Sequence, residues 1–297
     1  MRVFITGASG WIGSATVDEL LSADHEIIGL VRSEESASTI KAKGATALRG
    51  DLDDLDSLRR GARETDAVIH LANKHDFGPE SDRAERAAVQ AIAGALEGSG
   101  KPFLVANGLS DLSRLGRPAQ ESDPSPEIGP DSGRGGAENL ALDYVERGVR
   151  TIIVRFAPSV HGHGDWGFVN FLVAAARKQG VSGYIDDGQT EWSAVHRSDA
   201  ARLIRLGLEQ APAGTRLHAV AEPSLTTRSI AEAIGEWLSI PVSSVPAVNA
   251  GEHFGFLASF LAISMAGSSA ETQKRLGWNP TGPTLAQDIR NNAYVEA

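Results

Sequence analysis

The sequence predicts an α/β protein built on a doubly wound parallel sheet. Three observations support this prediction: short apolar runs, amphipathic stretches between them, and a glycine-rich turn directly after the first run. Apolar runs that alternate with helical patterns are typical of parallel strands with helices on both faces. The 297 residues suffice for one large domain or for two that share a core.

Apolar runs with the character of strands lie at residues 3–5, 26–31, 45–48, 67–71, 103–105 and 151–155. Helical patterns separate them at residues 11–22, 35–43, 54–63, 79–98 and 134–147. A loop is expected over residues 116–136, before the last of these helical patterns. Later helices are expected at residues 167–178, 198–209, 226–238 and 268–276. We expect a core over residues 1–160 and a small substrate-binding region over 161–297. The two would interleave as one structural unit, at the carboxyl edge of the sheet where ligands bind in such folds.

The composition limits the possible partners. Cysteine is absent, which excludes disulfides, cysteine-ligated zinc, iron–sulfur clusters and a thiol nucleophile. The net charge of −10 argues against a nucleic-acid-binding face and against docking on an anionic membrane. The first residues read as a strand and not as a signal peptide, and the apolar tract at 254–265 is too short to span a bilayer. We expect a cytoplasmic monomer or homodimer whose partner is a small-molecule substrate.

A glycine-rich turn joins the first strand to the first helix. Gly7 permits a tight turn, Gly10 leaves room for a pyrophosphate, and Gly13 lets the helix pack close to the strand. The helix N-terminus offers N–H groups and a positive dipole end to phosphate. We predict a dinucleotide site here, the alternative being a tight turn without a ligand. The residues expected around the pyrophosphate are Gly7, Ser9, Gly10, Trp11 and Ile12.

The spacing G-x-x-G-x-x-G, with four later segments, resembles the extended or atypical branch of the short-chain dehydrogenase/reductase superfamily, which is related to NAD-dependent epimerase/dehydratases. The later segments are residues 50–52, 70–72, 155–162 and 195–201, so the resemblance spans about residues 1–210 in the family's order. It implies a Rossmann-type fold with Asp51 and Leu52 beside adenine. It also implies that Leu71, Ala72 and Asn73 line the ribose and nicotinamide, and that Pro158, Ser159 and Val160 complete the site.

The end of the second strand favours NADP(H), although NAD(H) is possible. Selectivity for NAD usually rests on an acidic residue at this point, and here the strand ends in Arg32 and Ser33. A guanidinium can pair with a 2′-phosphate, and the Ser33 hydroxyl can add a hydrogen bond. Glu34 and Glu35 come slightly late to replace the acid. The alternative is that Arg32 is a solvated loop residue and that either cofactor is accepted.

The proton-transfer residues of the resembled family are missing. Its usual Tyr-x-x-x-Lys occurs nowhere, because none of the three tyrosines, Tyr144, Tyr184 and Tyr294, is followed four residues later by lysine. The chain therefore uses another acid, catalyses a reaction that needs less proton transfer from the protein, or binds nucleotide without turnover.

Substitutes for these residues are found by their place in the family's order. The lysine position falls on Arg134, the tyrosine position on Pro130, and the serine or threonine position on residues 107–109, Asn-Gly-Leu. Arg134 could hold the ribose, although a guanidinium stays charged and cannot relay protons. His75, just after the fourth strand, titrates near neutral pH and is a candidate acid. The predicted catalytic set is His75, Asn107 and Arg134, with a polar loop as the alternative reading of His75.

The substrate end is predicted to be aromatic. The resemblance implies that the segment between residues 166 and 192 caps the substrate. Its aromatic side chains indicate a bulky or aromatic apolar ligand, with ordinary core packing as the alternative. A metal site at His161, His163 and Asp165 is the less favoured interpretation, and we expect no metal. The predicted substrate-binding residues are Lys74, His161, Trp166, Phe168, Tyr184 and Trp192.

The function that these residues indicate is an NADP(H)-dependent oxidoreductase that transfers hydride to or from a small or aromatic carbonyl compound or alcohol. The alternatives are a redox-inactive NADP(H)-binding sensor, or an isomerase, epimerase or lyase that uses bound nucleotide.

Overall fold

The computed structural model describes residues 1–74 and 78–294. Its strands are β1 (Arg2–Thr6), β2 (Glu26–Val31), β3 (Thr46–Arg49), β4 (Ala67–His70), β5 (Pro102–Gly108), β6 (Arg150–Phe156), β7 (Ser159–His161), β8 (Ser182–Ile185), β9 (Glu191–His196), β10 (Thr215–Ala219), β11 (Glu222–Thr226) and β12 (Val242–Val245). Its α-helices are α1 (Trp11–Ser22), α2 (Glu34–Ala42), α3 (Leu55–Arg63), α4 (Pro79–Leu96), α5 (Ala137–Asp143), α6 (Phe168–Gln179), α7 (Arg197–Gln210), α8 (Thr227–Leu238), α9 (Ala250–Phe254), α10 (Leu257–Leu261), α11 (Ala270–Leu276) and α12 (Leu285–Arg290).

A seven-stranded parallel sheet forms the centre of the described part, in the order β3-β2-β1-β4-β5-β6-β10. The predicted Rossmann-type fold is thereby confirmed. Strand β10 pairs with β6 in register, Leu217 opposite Val154, so a segment from the second half of the chain completes the sheet. The strand order reverses between β1 and β4, and ligands bind at the carboxyl edge of such a reversal.

Alternate side chains of the strands enter two separate apolar layers. Val3 and Ile5 of β1 belong to the layer under α1 and α7, while Phe4 belongs to the layer under α3 and α4. This alternation follows from the two-residue period of a strand, and burial on both faces explains why the strands read as continuous apolar runs. A third apolar cluster, around Trp192 and Leu257, holds the C-terminal region together.

The segment before α5 departs from the predicted helix at 134–147. Arg134, Gly135 and Gly136 have φ values of 51°, 61° and 63°, which are left-handed, so the α-helix begins only at Ala137. The expected loop before it is fixed at several points. Arg117 binds Asp123 at 2.6 Å, and the Ala119 N–H donates to the Ala266 carbonyl at 2.9 Å.

Within residues 1–74 and 78–294, the helices include none with both the length and the apolar character needed to cross a bilayer. The apolar tract at 254–265 is divided between the short helices α9 and α10.

Candidate functional site

One cavity of about 770 Å³ follows the carboxyl edge of the central sheet. It passes over the reversal between β1 and β4, where the fold places its ligand. It brings together most residues that the sequence predicts for the site: Gly7, Ser9, Gly10, Trp11, Ile12, Arg32, Asp51, Leu52, Leu71, Ala72, Asn73, Lys74, Asn107, Arg134, Pro158, Ser159, Val160, Trp166 and Phe168.

The glycine-rich turn has the shape that a pyrophosphate cradle requires. Gly7 has φ of 71°, and a Cβ there would lie 2.9 Å from the Ala72 nitrogen. A Cβ on Gly13 would lie 1.9 Å from the Gly7 carbonyl oxygen, so only glycine lets α1 approach the turn this closely. Gly10 is the N-cap of α1 and no side chain caps that end, which leaves it suited to an anion. These residues fit a dinucleotide phosphate.

Trp11 connects the cradle to the strand on its far side. Its indole Nε1 donates to the Val160 carbonyl oxygen at 2.6 Å, and the Arg197 guanidinium lies 4.0 Å from the centre of the ring. Pro158 and Ser159, next to Val160, line the same cavity as the glycine turn.

At the end of β2 the exposed Arg32 lines the cavity, but Ser33 does not. The Ser33 hydroxyl caps α2: it accepts from the Ser36 N–H at 3.1 Å and donates to the Ser36 hydroxyl oxygen at 3.0 Å. Ser36 lines the cavity instead of Ser33. A serine directly before a helix is a typical N-cap, so this spacing was the available signal that the sequence interpretation missed.

The neighbouring wall is built from the segments after β3 and β4. Asp51 Oδ1 accepts from the main-chain N–H groups of Asp53 and Asp54, each at 2.9 Å, which fixes the turn. Lys74 Nζ lies 2.9 Å from both carboxylate oxygens of Asp53. Lys74 therefore reaches toward the β3 side of the cavity and contacts a carboxylate there.

Arg134 forms an ion pair with the buried acid Glu85. Its Nη2 donates to Glu85 Oε1 at 2.8 Å, and Asn73 Nδ2 donates to Glu85 Oε2 at 3.2 Å. Burial alone would raise the pKa of Glu85, but the charges and hydrogen bonds of Arg134 and His70 outweigh it and lower the pKa to about 2. The left-handed backbone of Arg134 is held by its own N–H, which donates to Asp82 Oδ1 at 2.7 Å.

Asn107 is held in place by a second buried acid. Its Nδ2 donates to Glu138 Oε2 at 2.7 Å, and its Oδ1 accepts from the Gly108 N–H at 2.8 Å. Burial opposes ionisation of Glu138, but hydrogen bonds and charge from Arg155 lower its pKa below the usual range. Arg155 Nε and Arg216 Nε each lie 3.0 Å from this carboxylate. The amide of Asn107 is therefore fixed in orientation at the cavity wall.

The opposite end of the cavity is aromatic. The rings of Phe168 and Phe260 lie 4.8 Å apart, and those of Phe171 and Phe256 lie 5.1 Å apart at a near-perpendicular angle. Trp166 and Met265 line the same end. Such a wall suits an apolar ligand better than a charged one.

Comparison with known proteins gives three findings about the sequence. The family model of the NAD dependent epimerase/dehydratase family matches residues 3–97. The chain is 45% identical to the uncharacterized protein C2A9.02 of Schizosaccharomyces pombe over 296 residues, 99% of this chain and 100% of that protein. It is also 45% identical to the uncharacterized protein YLL056C of Saccharomyces cerevisiae, over 98% of this chain and 99% of that protein.

The chain belongs to the NAD-dependent epimerase/dehydratase family. Two relatives of this chain have the names of enzymes. One is a 4-hydroxy-2-methyl-3-oxo-4-farnesyl-3,4-dihydroquinoline-1-oxide ketoreductase of Stigmatella aurantiaca, 27% identical over 72% of this chain and 66% of that protein. Another is a UDP-glucose 4-epimerase of Streptomyces lividans, 25% identical over 96% of this chain and 93% of that protein.

Solved structures share the fold of this family member. The crystal structure of gox2253 superposes with a TM-score of 0.78 at 21% identity, covering 98% of this chain and 96% of that one. The dTDP-glucose 4,6-dehydratase DesIV from Streptomyces venezuelae, with NAD and TYD bound, gives 0.78 at 20% identity, over 99% and 96% of the two chains. At these identities the likeness concerns the fold.

Two polar residues that the sequence interpretation missed follow Asn107 on a 3-10 helix, Leu109–Leu115. Ser110 is exposed and lines the cavity, and its Oγ lies 3.4 Å from Asp111 Oδ1. Burial raises the pKa of Asp111, against the charge of Arg134 and a hydrogen bond from Asn107. The available signal was a hydroxyl and a carboxyl directly after residues 107–109, where the resembled family has its serine or threonine.

The structure places four predicted residues away from the cavity wall and leaves one undescribed. Ser33 caps α2, as described above. His161 is fully buried with its Nδ1 2.6 Å from Asp288 Oδ2. Trp192 is fully buried behind Phe168, their rings 5.6 Å apart. Tyr184 lies on β8 with the Arg228 guanidinium 5.4 Å from its ring centre.

His75 lies outside the described residues. Across residues 1–74 and 78–294, the structure contains no cluster of three or more acidic or histidine side chains arranged to hold a metal ion. His161, which the less favoured metal interpretation included, bonds to an acid of α12.

Proposed function

We propose that this family member is an NADP(H)-dependent oxidoreductase that transfers hydride between the nicotinamide and a carbonyl or alcohol carbon of an apolar, often aromatic, substrate. The observation that carries the proposal is the continuity of the cavity, which joins the phosphate cradle at Gly10 to the aromatic wall at Phe260. The bound cofactor would supply the hydride.

The cofactor end supports the phosphorylated dinucleotide. An exposed guanidinium at Arg32 and the hydroxyl of Ser36 stand where the adenosine ribose is expected, at the end of β2. Guanidinium groups bind phosphate through paired hydrogen bonds, which makes arginine suited to a 2′-phosphate. Arg134, anchored by Glu85, falls on the lysine position in the family's order and would contact the ribose next to the nicotinamide.

The substrate end supports an apolar ligand over a sugar nucleotide. The described lining residues from Phe156 to Met265 include no lysine, arginine or histidine. A nucleotide diphosphate bound there would lack a cationic partner, whereas an aromatic ring would pack against Phe168 and Phe260. The relationship to a ketoreductase agrees with this class of substrate, while the relationship to an epimerase is the reason to test isomerisation as well.

The cofactor preference is tested with Arg32→Ala and a matched control. Arg49→Ala removes another exposed arginine nearby, at the end of β3, that does not line the cavity. Calorimetry should show NADPH binding about tenfold to a hundredfold weaker in Arg32→Ala, a loss of about 1.4 to 2.7 kcal/mol, with little change in NADH binding. Equal losses for the two cofactors would contradict the 2′-phosphate assignment.

The reaction is tested with purified protein, NADPH and a panel of apolar aldehydes, ketones and imines. We expect NADPH oxidation with stoichiometric reduced product. Tight NADPH binding without turnover on any compound would favour a nucleotide sensor. Product formation without net NADPH consumption would favour an isomerase or epimerase.

A further inference from the structure

We propose that Ser110 is the catalytic residue that protonates the substrate oxygen, and that Asp111 supplies the proton to Ser110. This inference rests on the proposed reductase function. In it, a hydroxyl–carboxyl pair on one turn takes the role of the absent tyrosine. The pair follows β5 directly, on the 3-10 helix Leu109–Leu115.

Ser110 has the position that a proton donor needs. It is exposed and lines the cavity together with Asn107, Gly108 and Arg134, at the carboxyl end of β5. β5 lies next to β4 in the sheet, and the segment that leaves β4 contains Ala72 and Asn73 of the same wall. A carbonyl group at the centre of the cavity would therefore have the Ser110 hydroxyl on its β5 side.

Asp111 lies behind Ser110 and is half-buried. Its Oδ1 is 3.4 Å from Ser110 Oγ, a long hydrogen bond of the kind that shortens when a substrate is bound. Ser113, the next hydroxyl on this helix, is not among the residues that line the cavity. Ser110 is thus the one hydroxyl of this turn that joins the described cavity wall to the Asp111 carboxyl.

The charged groups that face Asp111 come from three other segments. Arg134 lies before α5, Glu127 lies in the preceding loop, and Glu138 lies on α5. Burial and the two glutamates raise the pKa of Asp111, while Arg134 and a hydrogen bond from Asn107 oppose the rise. A raised pKa keeps a larger share of this carboxyl protonated as the solution approaches neutral pH.

The atoms and charges of the reduction balance when this pair supplies the proton. The carbonyl carbon gains the hydride and is reduced, and NADPH is oxidised to NADP⁺. The electron pair of the C=O π bond moves to oxygen, which takes the proton of the Ser110 hydroxyl. Ser110 recovers a proton from Asp111, and the Asp111 carboxylate is then reprotonated from solvent. No oxidant, reductant or metal beyond NADPH is needed.

The test uses Ser110→Ala and Asp111→Asn, the conservative variants Ser110→Thr and Asp111→Glu, and Ser113→Ala as the matched control on the same helix. Activity with the best carbonyl substrate should fall about 10²- to 10³-fold in kcat for the first two variants. NADPH affinity and the thermal unfolding midpoint should stay near the wild-type values. The Thr and Glu variants should recover most of kcat, and Ser113→Ala should match the wild type.

The pH profile separates proton supply from simple positioning. In the wild type, kcat should fall as pH rises above the raised pKa of Asp111, and Asp111→Asn should lose this alkaline limb. The double variant should be no slower than Ser110→Ala, because the two residues act in sequence. If the wild type turns over substrate and both single variants keep its kcat and pH profile, this inference is overturned and the reductase function is retained. A wild-type protein that binds NADPH and reduces nothing would overturn both.

Discussion

Arg134 Nη2 lies 2.8 Å from Glu85 Oε1, so a cation of the cavity wall rests on a fully buried carboxylate of α4. The same carboxylate accepts from Asn73, on the segment that leaves β4. One acid therefore fixes two residues that the proposed cofactor would contact, and its ionisation governs both.

We expect Glu85→Gln to lower the free energy of unfolding by about 2–3 kcal/mol at pH 7, because it leaves Arg134 without its charged partner. The folded pKa of about 2 lies below the ordinary value of 4.5, so the contribution is complete above pH 4.5 and is lost as pH falls toward 2. Urea unfolding of both proteins between pH 7 and the acid limit checks this. A difference that stays constant down to low pH would contradict the assigned pKa.

His218 should make stability depend on pH in a higher range. Burial, with the charge of Arg155, lowers its pKa to about 4 against 6.5 in the unfolded chain. Between these values the unfolded state binds a proton that the native state does not, so stability falls as the solution is acidified, by up to about 1.4 kcal/mol per pH unit. His218→Gln should reduce this slope by up to one proton. The same slope in His218→Gln and in the wild type would contradict this prediction.

Substitutions at two glycines of the turn should affect protein stability and NADPH binding to different extents. Gly13→Ala places a Cβ against the Gly7 carbonyl, so we expect a loss of about 3 kcal/mol in stability together with loss of NADPH binding. Gly10→Ala meets only that same oxygen, at 3.2 Å, and should fold with near-wild-type stability while binding NADPH at least tenfold more weakly. Gly251→Ala, with nothing within 4 Å, is the control. Equal stability of the Gly10 and Gly13 variants would refute the distinction.

Phe256 should contribute to substrate affinity more than to stability. Its side chain is 53% exposed, and its ring contacts Phe171 at the aromatic end of the cavity. Phe256→Ala should raise KM for apolar carbonyl substrates about five- to thirtyfold, which corresponds to about 1–2 kcal/mol of buried apolar surface. Val248→Ala, at an 89% exposed apolar residue outside the cavity, should leave KM unchanged. Steady-state kinetics on matched protein samples decides between these outcomes.

The sheet was predictable because its strands are buried on both faces, which leaves a strong apolar signal in short runs such as residues 26–31. Strand β10 was harder to recognise, because its sequence Thr-Arg-Leu-His-Ala carries polar side chains. Two of these, Arg216 and His218, contact groups that are distant in the sequence: the buried Glu138 carboxylate and the main-chain carbonyl of Ser268. Such pairing cannot be read from a local pattern.

The cofactor end of the site was predictable to a greater extent than the polar groups beside it. Glycine spacing reports local backbone geometry, so Gly7, Gly10 and Gly13 carry their meaning in the sequence alone. The environment of Asp111 depends on Arg134 and Glu127, more than fifteen residues later, and no spacing rule links them. Trp192 and Tyr184 were predicted to bind substrate but do not line the cavity, because aromatic character alone does not distinguish core packing from a ligand-binding wall.

The three left-handed residues that precede α5 also limit how this protein can be redesigned. A tyrosine and a lysine four positions apart meet on one side of an α-helix, but residues 130–136 follow no such spiral. Introducing tyrosine at Pro130 and lysine at Arg134 would therefore leave the phenol and the amine pointing in unrelated directions. Grafting the family's usual proton relay onto this scaffold would require rebuilding the backbone from Gly129 to Gly136, beyond exchanging two side chains.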